Sequence, residues 1–252
     1  MLWNCCKKYQ YTSFGITDKG KVRDHNEDAF LDNNQYAIWV VADGAGGHES
    51  GEVASNMIVE SLAKIEKSLS LNKATKDIKQ RLSYVNNQLI RLSGGENSNQ
   101  IIASTVCILI IRKNKCLCLW SGDSRIYLYR HNKLTLLTRD HNRFDEFIAA
   151  GFSEEAVETH PLAQQLIHAV GVTAPLFLDQ QLYEIKDDDL FLLCSDGLYK
   201  ELSETDIEQY LAEKSSVNHG VNEAVRGLMN IALDRGARDN VTALLMRVSL
   251  MK

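Results

Sequence analysis

The chain has 252 residues, of which 44% are hydrophobic and 24% charged, the balance of a soluble globular protein with a sizeable core. Its formal net charge of -5 disfavours nonspecific binding to nucleic acid or to an anionic membrane, because both need a cationic face. No run approaches the roughly 18 apolar residues of a membrane helix, and the first residues lack the apolar core of a signal peptide. We therefore expect a cytoplasmic protein without a membrane span.

The sequence is predicted to form one domain, residues 1–252. Only two prolines occur, Pro161 and Pro175, and no Pro-, Ser- or Gly-rich linker divides the chain. The six cysteines show no disulfide framework, and four of them lie inside apolar segments, where a thiol is usually a small buried hydrophobe. This cysteine usage fits a reducing cytosol.

The first hundred residues alternate strands with helices. Strands are predicted at residues 11–17, 29–31 and 36–42, and the last of these is a nearly continuous apolar run that leads into a turn at Asp43-Gly44. Apolar residues then recur at helical spacing over 51–65 and 78–92. The second helix is predicted to stop at Gly94-Gly95, because glycine is a helix stop signal.

The middle of the chain is rich in strands, which are followed by an irregular segment. Spacers of two residues containing Asn, Gly or Asp predict antiparallel hairpins between successive strands. Residues 139–175 hold both prolines and short helical patterns, and we expect them to form a flap over the sheet that selects the substrate. The four strands are predicted at residues 101–112, 115–121, 125–130 and 134–138.

The last third begins with another predicted hairpin, residues 182–185 and 190–194. Its turn is Asp187-Asp188-Asp189, an acidic run that we interpret as solvated rather than as a metal site. Helices are predicted near 203–213, with Ser203 and Asp206 in a capping pattern, and near 221–233. A final strand covers 240–248. About ten strands and four long helices favour an α+β layered architecture with helices covering a β-sandwich.

Acidic residues recur where apolar strands begin or end. A single Asp-Gly at the end of a strand is ordinary turn chemistry. Strand ends at one rim of a sheet can converge, however, and several carboxylates held together would repel strongly unless a cation neutralised them. The acidic features are Glu27-Asp28, Asp43-Gly44, Gly122-Asp123, Asp196-Gly197 and Asp239-Asn240.

The type of ligand narrows the choice of cation. Carboxylates, carbonyls and water suit Mg²⁺ or Mn²⁺, whereas zinc sites usually recruit His or Cys. Two such ions about 3.5–4 Å apart can activate a bridging water and stabilise an in-line displacement at phosphorus. Arg23, four residues before Glu27, can bind phosphate oxygens with both ends of its guanidinium.

Six ordered motifs resemble those of the metal-dependent protein phosphatases, the PPM or type-2C family. The resemblance runs from about residue 11 to residue 248, and it is greatest to the compact bacterial members. The motifs are residues 23–28, 41–48, 121–125, 137–141, 194–198 and 238–242.

The resemblance implies a four-layer αββα fold, a central antiparallel β-sandwich flanked by pairs of helices. It implies two Mn²⁺ or Mg²⁺ ions and possibly a third. Asp43 would bridge the two ions and Gly44 would offer its carbonyl. Asp196 and Asp239 would ligate one ion, and Glu27 and Asp28 would hold the waters of the second metal site. Arg23 would bind the substrate phosphate, and Asp123 with Asp196 would form a weaker third metal site.

Two positions depart from the family pattern. Eukaryotic members often place a His directly after the Asp-Gly, as a candidate general acid, but here that residue is Ala45 and His48 lies three residues on. A structural role for His48 is expected, and metal-bound water would then protonate the leaving group. Ala103 stands where the family usually has Gly, which should affect strand packing more than chemistry.

The function implied is dephosphorylation of phosphoserine and phosphothreonine in proteins, by a monomer that opposes a Ser/Thr kinase. One alternative is a pseudophosphatase that binds phosphoproteins without turnover. The presence of Asp43, Asp196 and Asp239 favours catalysis over that reading. A second alternative, an enzyme for small phosphate esters, is disfavoured only mildly by the broad flap.

Overall fold

The computed structural model describes residues 8–46, 50–66, 70–95, 100–158, 160–214 and 220–251. These ranges contain eleven strands and seven helices. The strands are β1 Tyr9–Asp18, β2 Asp28–Asn33, β3 Ile38–Gly46, β4 Ile102–Ser104, β5 Val106–Arg112, β6 Lys115–Ser121, β7 Arg125–Arg130, β8 Lys133–Leu136, β9 Asp179–Glu184, β10 Leu190–Cys194 and β11 Val241–Leu250. The helices are α1 Ser50–Leu62, α2 Leu71–Leu92, α3 Phe144–Ala149, α4 Glu154–Glu158, α5 Asp196–Tyr199, α6 Glu204–Lys214 and α7 Val221–Arg235.

The strands form two antiparallel sheets that pack face to face. Sheet 1 has the order β1-β11-β10-β7-β8, and sheet 2 has the order β2-β3-β5-β6-β9, with β4 paired to β3. Helices α1 and α2 cover the outer face of sheet 2, and α6 and α7 cover the outer face of sheet 1. The predicted four-layer α+β architecture is confirmed.

Strand β3 shows why the inner strands read as continuous apolar runs. Ile38, Val40 and Ala42 pack towards α1 and α2, whereas Trp39 and Val41 pack into the space between the sheets. Successive side chains point to opposite faces of a strand, so a strand buried on both faces needs apolar residues at every position. The run from Ile38 to Ala42 is accordingly buried throughout.

The helix ends follow the local signals in the sequence. Helix α2 ends at Leu92, and Gly94 and Gly95 then adopt φ values of 93° and 100°, a region that favours glycine. Before α6, the hydroxyl of Ser203 accepts a hydrogen bond from the Asp206 N–H, and the Asp206 carboxylate accepts one from the Ser203 N–H. This reciprocal pair is the predicted helix cap.

Two of the four predicted hairpins are wrong. Strands β5 and β6 pair, as do β7 and β8, whose turn at His131 and Asn132 has positive φ at both residues. The Gly122-Asp123 spacer, however, joins β6 in sheet 2 to β7 in sheet 1, and β9 and β10 likewise belong to different sheets. These short connections therefore cross the sandwich instead of closing hairpins.

Strand bounds near the acidic residues also differ from the prediction. Strand β3 continues through Asp43-Gly44, where a turn was expected, because β4 pairs with residues 44–46. The predicted strand at 101–112 is two strands divided at Thr105, whose N–H and hydroxyl both bond to the backbone of Asp43. Asp196 begins the one-turn helix α5 rather than a simple turn.

Within the acidic run at 187–189, Asp187 and Asp188 are exposed, as the interpretation of a solvated turn expects, but that interpretation is wrong for Asp189. Asp189 is buried and receives two bonds from the Arg130 guanidinium, at 2.6 and 2.7 Å. Asp188 pairs with Arg247 at 3.2 Å, and Asp187 accepts a bond from the Leu250 N–H. These bonds tie the loop between β9 and β10 to strands β7 and β11 of sheet 1.

The expected flap, residues 139–175, holds the short helices α3 and α4 and little other regular structure over its described part. Isolated bridges Asn142–Leu166 and Ser104–Val170 tie it to itself and to β4. Across the described ranges, none of the helices is long and apolar enough to cross a membrane.

Candidate metal centre

The acidic residues meet at one rim of the sandwich, and both sheets contribute. Asp28 opens β2 and lies opposite Asp43 of β3 in the antiparallel register. Asp196 comes two residues after the end of β10, and Asp239 lies two residues before β11, which pairs with β10. The strand ends thus bring together carboxylates that are up to about two hundred residues apart in the chain.

Asp28 is the most firmly held of these carboxylates. Its Oδ2 accepts hydrogen bonds from the Ser195 and Thr242 hydroxyls, both at 2.7 Å. Its Oδ1 is buried and has no hydrogen-bond partner. Burial, opposed by the two hydroxyls and supported by the charges of Asp196 and Asp239, raises the pKa of Asp28 to about 7.

Asp43 is positioned through its backbone. The Thr105 N–H donates to the Asp43 carbonyl at 2.8 Å, and the Asp43 N–H donates to the Thr105 hydroxyl at 3.1 Å. Burial first, and then the charges of Asp28 and Asp196, raise the pKa of Asp43 well above its usual range. A carboxylate surrounded by like charges in this way favours a proton or a cation beside it.

Glu27 and Gly44 lie against the start of helix α1. The Glu27 carboxylate accepts a bond from the Gly51 N–H at 3.2 Å, and its carbonyl accepts one from the Gly44 N–H at 3.1 Å. A Cβ at Gly44 would lie 2.1 Å from the Gly51 carbonyl oxygen. Only glycine allows this close approach, which brings Glu27 to the same rim.

Arg23 and Asp239 form the exposed edge of the cluster. Their side chains pair at 2.7 Å, and the bond to Asp239 raises the pKa of the Arg23 guanidinium. Asn240 ties this edge to Glu27: its Oδ1 accepts from the Glu27 N–H at 2.8 Å, and its amide donates to the His25 carbonyl at 2.9 Å. Arg23 is 55% exposed and can reach an incoming anion.

Asp123 and Asp196 form the remaining part of the cluster. Burial, followed by the charge of Asp196, raises the pKa of Asp123 to about 7. One oxygen of Asp196 pairs with the Lys200 ammonium, and the other is buried without a partner. The structure thus brings all eight residues singled out from the sequence to one rim, namely Arg23, Glu27, Asp28, Asp43, Gly44, Asp123, Asp196 and Asp239.

The donor set fits hard divalent cations. It consists of carboxylate oxygens and a carbonyl, and two of the buried carboxylate oxygens, on Asp28 and Asp196, have no partner in the protein. Over the described ranges, no three His, Cys, Asp or Glu side chains are grouped as a complete metal-ligand set. Asp196 and Asp239 are instead turned towards Lys200 and Arg23.

Sequence reasoning missed four residues that shape this rim. Ser195 and Thr242 hold Asp28, Asn240 holds Glu27, and Lys200 pairs with Asp196. Only Lys200 could have been found from the sequence, because it lies four residues after Asp196, the spacing at which side chains meet on a helix. Of the two departures from the family pattern, Ala45 is exposed near the end of β3 and Ala103 is buried in β4; His48 lies outside the described residues.

Comparisons with known proteins agree with this architecture. The family model described as "Protein phosphatase 2C" matches residues 19–243. The chain is 33% identical over 244 residues to the serine/threonine phosphatase stp of Listeria welshimeri, covering 94% of this chain and 95% of the relative.

Two solved structures extend the match to three dimensions. PppA of Pseudomonas aeruginosa superposes with a TM-score of 0.84 at 34% identity, covering 97% of this chain and 100% of PppA. The catalytic domain of the phosphatase PstP, solved with two manganese ions, gives a TM-score of 0.80 at 27% identity, covering 96% of this chain and 100% of that domain. Sequence, fold and the acidic rim lead to one assignment: the chain belongs to the protein phosphatase 2C family.

Proposed function

We propose that this protein is a metal-dependent phosphatase that removes phosphate from phosphoserine and phosphothreonine in other proteins. The observation that carries the proposal is the meeting of five aspartates from both sheets with one exposed arginine at a single rim. Membership of the protein phosphatase 2C family supports the same reaction.

The acidic residues are proposed to hold two Mn²⁺ or Mg²⁺ ions, as in the manganese complex of PstP. Asp43 would serve both ions, Gly44 would offer its carbonyl, and Asp196 and Asp239 would ligate one of the ions. When bound, such ions supply an activated water and neutralise charge that develops at phosphorus. Asp196 can ligate through its unpartnered Oδ1 while Oδ2 stays paired with Lys200, whereas Arg23 must give up its ion pair to release Asp239.

The protein's own groups orient the reactants around that centre. Ser195 and Thr242 fix one oxygen of Asp28, so its free Oδ1 points in a set direction and can accept a hydrogen bond from a water molecule. Glu27, held by the Gly51 N–H, is proposed to hold a water molecule in the same way. Arg23, once released from Asp239, is proposed to grip the substrate phosphate with both guanidinium nitrogens.

The proposal also covers the substrates, the opposing enzyme and the place of action. The bacterial relatives are named serine/threonine phosphatases, which supports phosphoproteins as substrates and a Ser/Thr kinase as the opposing enzyme. We propose cytoplasmic action by a monomer. We also propose that the chain forms a single phosphatase domain and that its flap, at about 139–175, selects the substrate.

A metal-dependence assay tests the reaction. Purified protein should hydrolyse para-nitrophenyl phosphate and a phosphothreonine peptide with Mn²⁺, lose activity in EDTA, and regain it when Mn²⁺ is returned. The Asp239→Asn variant should lose most of this activity, because one carboxylate of the centre is gone. Activity that survives chelation or Asp239→Asn would contradict the two-metal mechanism.

Matched peptides separate the alternatives. A phosphothreonine and a phosphotyrosine peptide of one sequence should differ in kcat/KM in favour of phosphothreonine. Equal rates on both peptides and on small esters would favour a broad phosphate-ester hydrolase. Binding of the phosphothreonine peptide without turnover in Mn²⁺ would identify a pseudophosphatase.

A further inference from the structure

Lys200 places an ammonium group inside the acidic rim. The residue follows the short helix α5, and its N–H donates to the Asp196 carbonyl at 2.9 Å, so the two side chains share one face. The Lys200 ammonium forms an ion pair with Asp196 Oδ2. The Lys200 side chain is half exposed, whereas the Asp196 side chain is only 13% exposed, so the ion pair joins a lysine that solvent reaches to a largely buried carboxylate.

The same ammonium acts on Asp123. Burial alone would lower the pKa of Lys200, but the charges of Asp196 and Asp123 raise it, and Lys200 in turn opposes the raised pKa of Asp123. The neighbouring residue fixes this proximity, because the Tyr199 hydroxyl donates to the Asp123 carbonyl at 3.1 Å. Arg125 lies over the Tyr199 ring at 3.8 Å and holds it in place.

Asp123 and Asp196 are the pair to which family resemblance gives a third, weaker ion. A third ion there must compete with a cation that is part of the chain. A tethered group has an effective concentration on the order of millimolar or more, so a weakly held ion competes poorly with it. Adding a divalent charge beside the ammonium would also bring like charges together.

We propose that the Lys200 ammonium takes the place of a third ion between Asp123 and Asp196, so that this protein binds two metal ions and excludes the third. The inference rests on the proposed two-metal function and adds the number of ions to it. Lys200 is thus a determinant of metal stoichiometry, which is measurable without turnover.

Equilibrium dialysis and calorimetric titration with Mn²⁺ alone test the proposal. The wild-type protein should bind two ions. Lys200→Met, which keeps the stem and removes the charge, should bind three. Lys200→Gln is a second neutral variant, and Lys200→Arg is the matched control that keeps the charge and should bind two.

A double variant locates the added ion. Lys200→Met combined with Asp123→Asn should return to two ions, and thermal unfolding should show that every variant is folded. Three ions in the wild-type protein, or two in both folded neutral variants, would overturn the proposal. No Mn²⁺ binding by the wild type would instead refute the proposed two-metal function itself, so the two failures are distinguishable.

Discussion

Asp28 connects the two sheets at the proposed metal centre. It belongs to β2 of sheet 2, but its hydrogen bonds come from Ser195 and Thr242, which lie after β10 and within β11 of sheet 1. A buried carboxyl group is costly unless it is hydrogen-bonded, so each hydroxyl both stabilises the fold and fixes the direction of the free oxygen.

Replacing Thr242 tests this connection. Thr242→Val keeps the shape and removes the hydroxyl, and it should lower the free energy of unfolding by about 1.5–3 kcal/mol because a buried carboxyl group loses a partner. Thr242→Ser, which keeps the hydroxyl, should lose less. Urea denaturation in EDTA measures both. A larger loss for Thr242→Ser than for Thr242→Val would mean that the methyl group, rather than the hydrogen bond, matters.

The proposed role of Arg23 can be tested by steady-state kinetics. Arg23→Ala should raise KM for a phosphothreonine peptide about tenfold, with a smaller change in kcat, because it removes an interaction already made in the ground state. Arg23→Lys keeps the charge but not the bidentate guanidinium, so its KM should lie between those of the wild type and Arg23→Ala. A collapse of kcat at constant KM would show that the assigned role is wrong.

At the scale of elements, short connections carry the chain from one sheet to the other. Gly122 is one such point: its φ is +108°, and a Cβ there would lie 2.6 Å from Thr105 Cβ. Thr105 in turn bonds the backbone of Asp43. The crossing from β6 to β7 therefore packs against the residue that positions a proposed metal ligand.

A pair of glycine variants tests the importance of this crossing. Gly122→Ala should cost about 3 kcal/mol or more, because it combines left-handed backbone strain with a steric clash. Gly151→Ala is the matched control: its φ is +93°, but a Cβ there meets nothing within 4 Å, so only the strain of about 1 kcal/mol is expected. Equal losses in urea denaturation would exclude the clash.

Strand positions and layers were predictable, whereas some strand partners were not. A continuous apolar run identifies a strand that is buried on both faces, as in β3. The inner faces of both sheets, however, pack into one hydrophobic cluster. The pattern therefore cannot tell whether β7 pairs with β6 or crosses to β10. Helical spacing and glycine stops were enough to predict the four long helices.

The site was predictable in its acidic residues and not in their partners. Each acidic feature, including the pair Glu27-Asp28 after Asn26, stands beside Gly or Asn at a strand end, a visible local pattern. The hydroxyl of Thr242 and the ammonium of Lys200 act across the fold or along a one-turn helix that the sequence did not predict. Such contacts depend on side-chain directions that only the assembled sheets determine.

At the scale of the whole molecule, the acidic rim makes stability depend on pH. The pKa values of Asp28 and Asp123 are about 7 in the folded protein, against an ordinary value of 3.8. Between these values the folded state binds more protons than the unfolded state. The free energy of unfolding should therefore fall as pH rises from about 4 to about 7.

Thermal unfolding of chelated protein checks this sign. In EDTA, Tm should be higher at pH 5.5 than at pH 8, and Mn²⁺ at pH 8 should restore the loss by neutralising the carboxylates. Asp28→Asn is the control, because it removes one of the carboxyl groups whose pKa is raised and should shrink the difference in Tm. A Tm that rises with pH by the same amount in both proteins would contradict the prediction.

The meeting of distant strand ends at one rim has a consequence for the order of folding. Strand β1 pairs with β11, and the proposed ligands extend from Glu27 to Asp239, so the centre closes only after contacts of very long sequence separation have formed. Such contacts are slow to form. During refolding, helical signal should return first and phosphatase activity last, which makes catalysis itself a reporter of completed topology.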